Sequence, residues 1–180
     1  MKKSVPETSR YRQLEHLERL IQGFLCLHQN TLKSLRKFVF FSELASLLKS
    51  ELKRKFDIII HAAAVSDYQL KNPSRKKISS NQREMILRLV PTPKLITSIK
   101  KHAPKSFLVG FKLESSDAKT FLKNQAEKLI RTAGCDLVVA NSFNNGYHGY
   151  IINKNSTLVT KAFSRKDIAQ KLLRRIKEQL

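Results

Sequence analysis

A lone carboxylate, Asp67, stands near the end of the stretch His61 to Tyr68, HAAAVSDY. Before it runs Asp57-Ile58-Ile59-Ile60, with the composition of a buried strand. A strand that only had to pack would continue with large apolar side chains; this one delivers three alanines and then an acid. Alanine has nothing beyond Cβ, so Ala62-Ala63-Ala64 lets a flat base or a ribose approach the backbone, whose N–H and C=O groups can read it. Close packing of a helix on a sheet asks for the same residues. Asp67 suits hydrogen bonds from a ribose or base, or the placing of a metal; a turn or helix cap is its ordinary use. Two more apolar runs end in small or polar residues, at Gly110 to Glu114 and at Ala140-Asn141. Phe111, closing FLVGF, can stack on a base or fill a core. Lys77, in the basic loop SRKKISS, can reach a phosphate or a carboxylate, or stay a solvated charge.

Several other chemistries are excluded. No GxxxxGK[ST] loop is present, no Ser/His/Asp order stands out, and the 5 histidines have no metal-ligand spacing. The 2 cysteines, Cys26 and Cys135, are far apart and read as buried thiols in a reducing compartment. No apolar run approaches the roughly 20 residues that span a bilayer, and no apolar stretch follows the N-terminal lysines as in a signal peptide. The expectation is a soluble cytoplasmic protein without a membrane partner. At 180 residues and 41% hydrophobic content, the chain suits one domain with a sizeable core. The net charge of +21 draws anions, whether nucleic acid, membrane surface or phosphorylated small molecules. That charge is spread along the chain, with no nucleic-acid-binding motif beside it. A nucleic-acid partner is therefore disfavoured, though the charge alone leaves it open.

The elements that must position these residues follow from periodicity. Residues 10–28 read as an amphipathic helix with Leu14, Leu17, Ile21, Phe24, Leu25 and His28 on one face. Phe38-Val39-Phe40-Phe41 is a short strand candidate, and Ser42 is placed to cap a helix facing inward with Leu44, Leu47, Leu48 and Leu52. Asp57 to Ala62 is a strand covered on both faces. Met85, Leu87 and Leu89 alternate as a strand does. Thr92-Pro93 supplies a capping hydroxyl and a proline for the first turn of a helix running to about Lys101. Phe107 to Phe111 is a strand. Asp117 to Ala133 is a helix with Ala118, Phe121, Leu122, Ala126, Leu129 and Ile130 inward, ended by Gly134. Asp136 to Ala140 is a third strand. Gly149 to Ile152 and Leu158 to Ala162 form a hairpin around Asn153-Lys154-Asn155. Ser164 caps a last helix with Ile168, Leu172, Leu173 and Ile176 inward. Strands alternating with helices mean one α/β domain with a mainly parallel sheet, whose ligand site lies beyond the carboxyl ends of the strands.

Six motifs occur in one order: HAAAVSDY, KKISS, LRLVPTPKLI, FLVGFKLES, DLVVAN and FSRKDIAQKLL. Together they resemble the phosphopantothenate–cysteine ligase (phosphopantothenoylcysteine synthetase) family over about residues 38–180. The resemblance implies a Rossmann-like sheet flanked by helices with a small β-hairpin or flap. It implies coenzyme A biosynthesis: 4′-phosphopantothenate joined to cysteine through an acyl-nucleotide, with CTP or ATP as activating substrate and Mg²⁺ assisting. It also implies a homodimer whose flap crosses between subunits. The alternative is a non-catalytic nucleotide- or nucleic-acid-binding remnant of the same fold.

Carried onto this chain, the resemblance has His61, Ala62 and Ala63 line the nucleotide and Asp67 hold its sugar or base end. Lys77 is the catalytic lysine of the flap. Thr92 and Pro93 close the base side, Phe111 stacks there, and Asn141 binds substrate. Lys128 is the candidate triphosphate lysine, although the family's pair falls on Leu129 and Ala133. No metal ligand is assigned. Gly-Phe-Lys-Leu-Glu, with Lys112, looks like the eukaryotic type and weakens the case for CTP. The family opens with a Gly-rich turn, whereas Gly23 is the only glycine before Gly110 and residues 1–37 match nothing in that region. A truncated remnant, half of a split enzyme, and a differently used N-terminal segment all fit that departure.

Overall fold

The computed structural model describes residues 36–74, 76, 81 and 83–179. The helix expected over 10–28, Cys26 and Lys77 lie outside the described residues. Helix α1 spans Phe41–Glu51 and continues into a 3₁₀ turn at Leu52–Arg54. Strands β1 (Ile58–His61), β2 (Tyr68–Leu70) and β3 (Leu89–Pro91) follow, then α2 (Leu95–His102), β4 (Phe107–Glu114) and α3 (Lys119–Ala133). The chain continues through β5 (Leu137–Ser142), β6 (His148–Asn153), β7 (Leu158–Ala162) and α4 (Arg165–Lys177).

The main sheet has the order β1-β4-β5-β6-β7, and β2 pairs with β3 in a separate ribbon. β1, β4 and β5 pair in parallel, while β6 is antiparallel to both its neighbours. Four of the five strands therefore point one way, as the mainly parallel Rossmann-like expectation required. The longest buried run is β5, with Leu137, Val138, Val139 and Ala140 all buried, because helices cover it on both faces. On one face Val138 and Ala140 meet α2 and α3 through Ile96, Ile99, Leu122, Ala126 and Ile130. On the other, Leu137 and Val139 meet α4 through Ile168, Leu172, Leu173 and Ile176. β1 is less well covered than its sequence suggests: Ile58, Ile59 and Ile60 are all half-buried.

Two constraints fix the centre. Gly110 sits where an added Cβ would lie 2.9 Å from the Cys135 sulfur and 3.1 Å from both Ile96 Cδ1 and Leu129 Cδ2, so α2 and α3 close directly onto the backbone of β4. Asp136, at the entry to β5, accepts from Leu108 N at 2.9 Å and from Lys100 Nζ at 2.6 Å. Lys100 also donates to Ser106 O at 2.7 Å. One carboxylate thus ties β4, β5 and α2 together at the amino end of the sheet.

The ends of the elements correct several expectations. Phe38 to Phe41 forms no strand; residues 36–39 are irregular, and Phe41 begins α1. Ser42 lies inside α1, and Glu43 does the capping: its Oε2 accepts from Val39 N at 2.7 Å and Phe40 N at 3.1 Å. Those two backbone contacts hold the Glu43 carboxyl below the usual value. Only Leu89 of the Met85, Leu87, Leu89 alternation is in a strand; Met85 and Leu87 are exposed. Helix α2 begins at Leu95 after Lys94, so Thr92 and Pro93 precede it rather than cap it. Phe121 lies on the exposed side of α3. Other signals hold. Gly134 ends α3 in the left-handed region, at φ 69°. Ser164 caps α4 by accepting from Asp167 N at 3.1 Å. The β6–β7 hairpin turns where Asn153 Oδ1 accepts from the backbone of Asn155 and Thr157.

Asp136→Ala should lower unfolding free energy by about 2–3 kcal/mol, because it strands a partly buried ammonium and a strand N–H. Urea denaturation followed by circular dichroism measures it. Gly110→Ala should cost about 1–3 kcal/mol by overpacking. Part of that loss should return in Gly110→Ala/Cys135→Ala, since Cys135 supplies the nearest obstructing atom; a double-mutant cycle reads the coupling.

Candidate functional site at the carboxyl edge of the sheet

The loops that follow β1, β4 and β5 all leave from one edge of the sheet, since those strands run in parallel. Helices α3 and α4 begin just beyond Glu114 and Ala162, so their N-terminal N–H groups face the same side. An edge lined by helix N-termini favours anions. The first loop, Ala62 to Ser66 followed by Asp67, carries no side chain bulkier than Val65. Ala62 and Ala63 are half-buried and Ala64 is exposed, so the loop presents small groups and backbone rather than core.

This loop is clamped to the Pro91–Lys94 segment. The buried Thr92 donates its hydroxyl to Ser66 O. Thr92 N donates to Asp67 O at 2.9 Å. Lys94 Nζ pairs with Asp67 Oδ1. The Asp67 and Lys94 side chains are 66% and 60% exposed, so the pair faces solvent, where a ligand can reach it. Lys94, first by its hydrogen bond and then by its charge, holds the Asp67 carboxyl below the usual carboxylate value, and Lys112 adds a weaker pull in the same direction. Lys112 itself pairs with Glu114 at 3.0 Å.

The structure brings most of the expected residues to this edge, on different faces. His61 pairs in register with Gly110, so Ala62 emerges beside Phe111. His61 shares the alternation of Ile59, toward the face covered by α2 and α3; Phe111 lies on the opposite face, with Val109 and Val139. Burial pushes the His61 imidazolium pKa below the ordinary histidine value, so the ring is neutral at pH 7. Asn141 alternates with Val139 and so shares the Phe111 face, on the neighbouring strand and two residues further along. Pro93 is exposed beside the clamp. Lys128 is not brought to this edge. It is exposed on α3, nine residues beyond Lys119, hence roughly 14 Å along the helix axis at 1.5 Å per residue.

Lys94 and the Asn145–Asp117 contact lie at this edge as well, and sequence reasoning singled out neither. Lys94 was legible only as part of the PTPK motif, and its partner lies 27 residues earlier. The loop after β5 is fastened to the loop before α3, with Asn145 Nδ2 donating to Asp117 Oδ2 at 3.3 Å. Cys135 is not a nucleophile: burial raises its thiol to about 12. Among the described residues, no three His, Cys, Asp or Glu side chains gather as a metal site.

Comparison with known proteins bears on the fold and the family. The chain is 40% identical over 139 residues to the coenzyme A biosynthesis bifunctional protein CoaBC of Thermococcus kodakarensis, which covers 77% of this chain and 32% of that protein. The chain thus spans about a third of the length of that curated relative. The crystal structure of the DNA/pantothenate metabolism flavoprotein from Streptococcus pneumoniae superposes with a TM-score of 0.71 at 25% identity, covering 85% of this chain and 75% of that one. A variant of Cab2 in complex with phosphopantothenate-cysteine shares the fold at 16% identity, with a TM-score of 0.64 over 99% of this chain and 63% of that one. The profile described as DNA/pantothenate metabolism flavoprotein C-terminal domain matches residues 18–180, starting ahead of the boundary at Phe38 that the motifs suggested. That match takes in most of the sequence, and the chain belongs to this family.

Proposed function

We propose that this chain carries the nucleotide-dependent ligation of 4′-phosphopantothenate with cysteine, in coenzyme A biosynthesis. The observation that supports it best is the meeting of the Ala62–Asp67 loop with Thr92–Lys94 at the carboxyl end of β1, within a fold shared with relatives of that pathway. A carboxylate is a poor acyl donor. Attack of its oxygen on the α-phosphorus of CTP or ATP forms an acyl-nucleotide and releases pyrophosphate. The cysteine amine then attacks the acyl carbon, the nucleoside monophosphate leaves, and an amide remains. The bare Ala62-Ala63 wall admits the nucleoside, Asp67 accepts from its sugar or base, and Phe111 offers a half-buried ring for stacking. His61, neutral at pH 7, supports the start of the loop without adding charge. Asn141 is placed on the Phe111 face for substrate. Lys77 keeps the catalytic role the resemblance assigns it, neutralising charge on the acyl-phosphate. Lys128, exposed far along α3, is the weakest of the proposed nucleotide contacts.

The described residues offer no cage for Mg²⁺: no three acidic, His or Cys side chains gather, and Asp67 and Glu114 are engaged by Lys94 and Lys112. The ion fits as a companion of the triphosphate, and no residue of this chain is assigned to it.

The same reading includes a homodimer. Directly opposed pairs put Tyr68, Leu70, Leu89 and Pro91 on one face of the β2–β3 ribbon. Tyr68, Leu70 and Leu89 are 56%, 40% and 55% exposed, and Met85, Ile86 and Leu87 beside them are exposed as well. An apolar ribbon face of this kind suits a second copy. A cytoplasmic location follows from the pathway.

Pyrophosphate release is the test, with CTP and ATP supplied separately alongside phosphopantothenate, cysteine and Mg²⁺. Activity with one or both is expected; release with neither overturns the assignment. Steep salt dependence on long RNA, without saturable nucleotide binding, would favour the remnant reading instead. Phe111→Ala should raise nucleotide KM about tenfold through lost stacking. Asp67→Ala and Lys77→Ala should each lower kcat/KM about a hundredfold or more. Light scattering should report a dimer for the native chain and a monomer for Leu70→Glu/Leu89→Glu, since a pair of buried charges does not survive in an apolar interface.

A further inference from the structure

Asp67 reaches its place through another segment of the chain, which bears on how the site is set. Its own loop is small and largely exposed, and nothing in the sequence HAAAVSD fixes the direction of its carboxylate. Three contacts from Thr92 and Lys94 do so. The Thr92 hydroxyl holds Ser66 O, the Thr92 N–H holds Asp67 O, and the Lys94 ammonium holds Asp67 Oδ1. Thr92 is 6% exposed, whereas Ser66, Asp67 and Lys94 are open to solvent, so the anchor is buried and what it positions is accessible. Among the described residues, Lys94 occupies one carboxylate oxygen and Oδ2 has no partner, which leaves it open to a donor.

We infer that Thr92 and Lys94 are positioning residues for the nucleotide site: Thr92 pins the backbone at Ser66–Asp67, and Lys94 orients the Asp67 carboxylate while cancelling its charge toward a polyphosphate. The inference rests on the ligase reading for the identity of the ligand. The clamp itself is a property of the ligand-free protein. Among the described residues, the charged groups that bear on Asp67 are Lys94, in contact with it, and Lys112 from β4, itself paired with Glu114. Removing the Lys94 charge lets the Asp67 titration rise toward its ordinary value. Because the native value is depressed, the acid-side loss of nucleotide affinity should then begin at higher pH. Arginine retains the charge and the donor.

The test combines carboxyl NMR titration of Asp67 in the ligand-free protein with ATP and CTP affinities across pH, for Thr92→Val, Thr92→Ser, Lys94→Met and Lys94→Arg. Lys94→Met should move the Asp67 titration upward, weaken nucleotide binding about fivefold and shift its acid limb the same way, as loss of one exposed pair predicts. Lys94→Arg should restore all three. Thr92→Val should weaken binding about tenfold or more, with Thr92→Ser close to native, because a buried hydroxyl bond is lost in the first and kept in the second. Thermal unfolding checks that each variant is folded. An unmoved Asp67 titration in Lys94→Met, or native affinity in both Thr92→Val and Lys94→Met, overturns the inference. Absence of nucleotide binding by the native protein would defeat the ligase reading and with it the nucleotide role of the clamp, while the ligand-free titration alone decides whether Lys94 sets Asp67.

Discussion

The Asp136 carboxylate is the contact on which the sheet's geometry depends. It accepts the Leu108 N–H across the β4–β5 pair and the Lys100 ammonium from α2, and Lys100 reaches on to Ser106 O. Its side chain is 18% exposed, so it cannot be satisfied by water alone, and removal of any partner leaves a poorly solvated charge. The consequence is a division of labour along the strands. The amino end is fastened by a charge network, and Gly110 lets α2 and α3 close on the backbone just beyond it. With register set there, the carboxyl end can be built of small residues and loops, because it does not have to hold the sheet together.

The two faces are treated unequally. α2 and α3 cover β4 and β5 on one side, and α4 covers β5, β6 and β7 on the other. Ile58, Ile60, Phe107 and Phe111 pack against the core on the α4 face, yet all four stay half-buried. Phe111 is thus a large ring neither sealed in the core nor fully in water. That intermediate state suits a stacking partner, which needs one face supported and the other accessible.

Sequence legibility followed the range of the interaction. Ser164 and Gly134 were readable because a cap is decided within four residues. The alternation of strands and helices was readable because apolar periodicity is local. Phe38 to Phe41 misled because a run of four apolar residues has no period of its own, and Glu43, four residues after Val39, turned the segment into a helix start. Thr92 misled for the opposite reason. Thr-Pro is a sound local signal for a helix start, but its hydroxyl found Ser66 O, 26 residues earlier, and the helix began three residues later than Thr92. HAAAVSDY runs from β1 into the loop at the carboxyl edge of the sheet, yet the lysine that pairs with its acid could not be seen in the motif.

In the proposed site, a carboxylate beside a triphosphate would at first sight be an error, since like charges repel most where water is thin. The chain's +21 charge draws polyphosphates in general but does not remove a local repulsion. The pairing with Lys94 does. A carboxylate with an ammonium on one oxygen has little net field at a distance, while its other oxygen remains a strong acceptor at contact range. In the proposed nucleotide site, Asp67 would then discriminate a sugar or base by hydrogen bonding without deterring the phosphates that follow it. The acid needs a lysine nearby, and the fold provides it from the start of a different helix. That explains why the loop itself can remain as bare as three alanines.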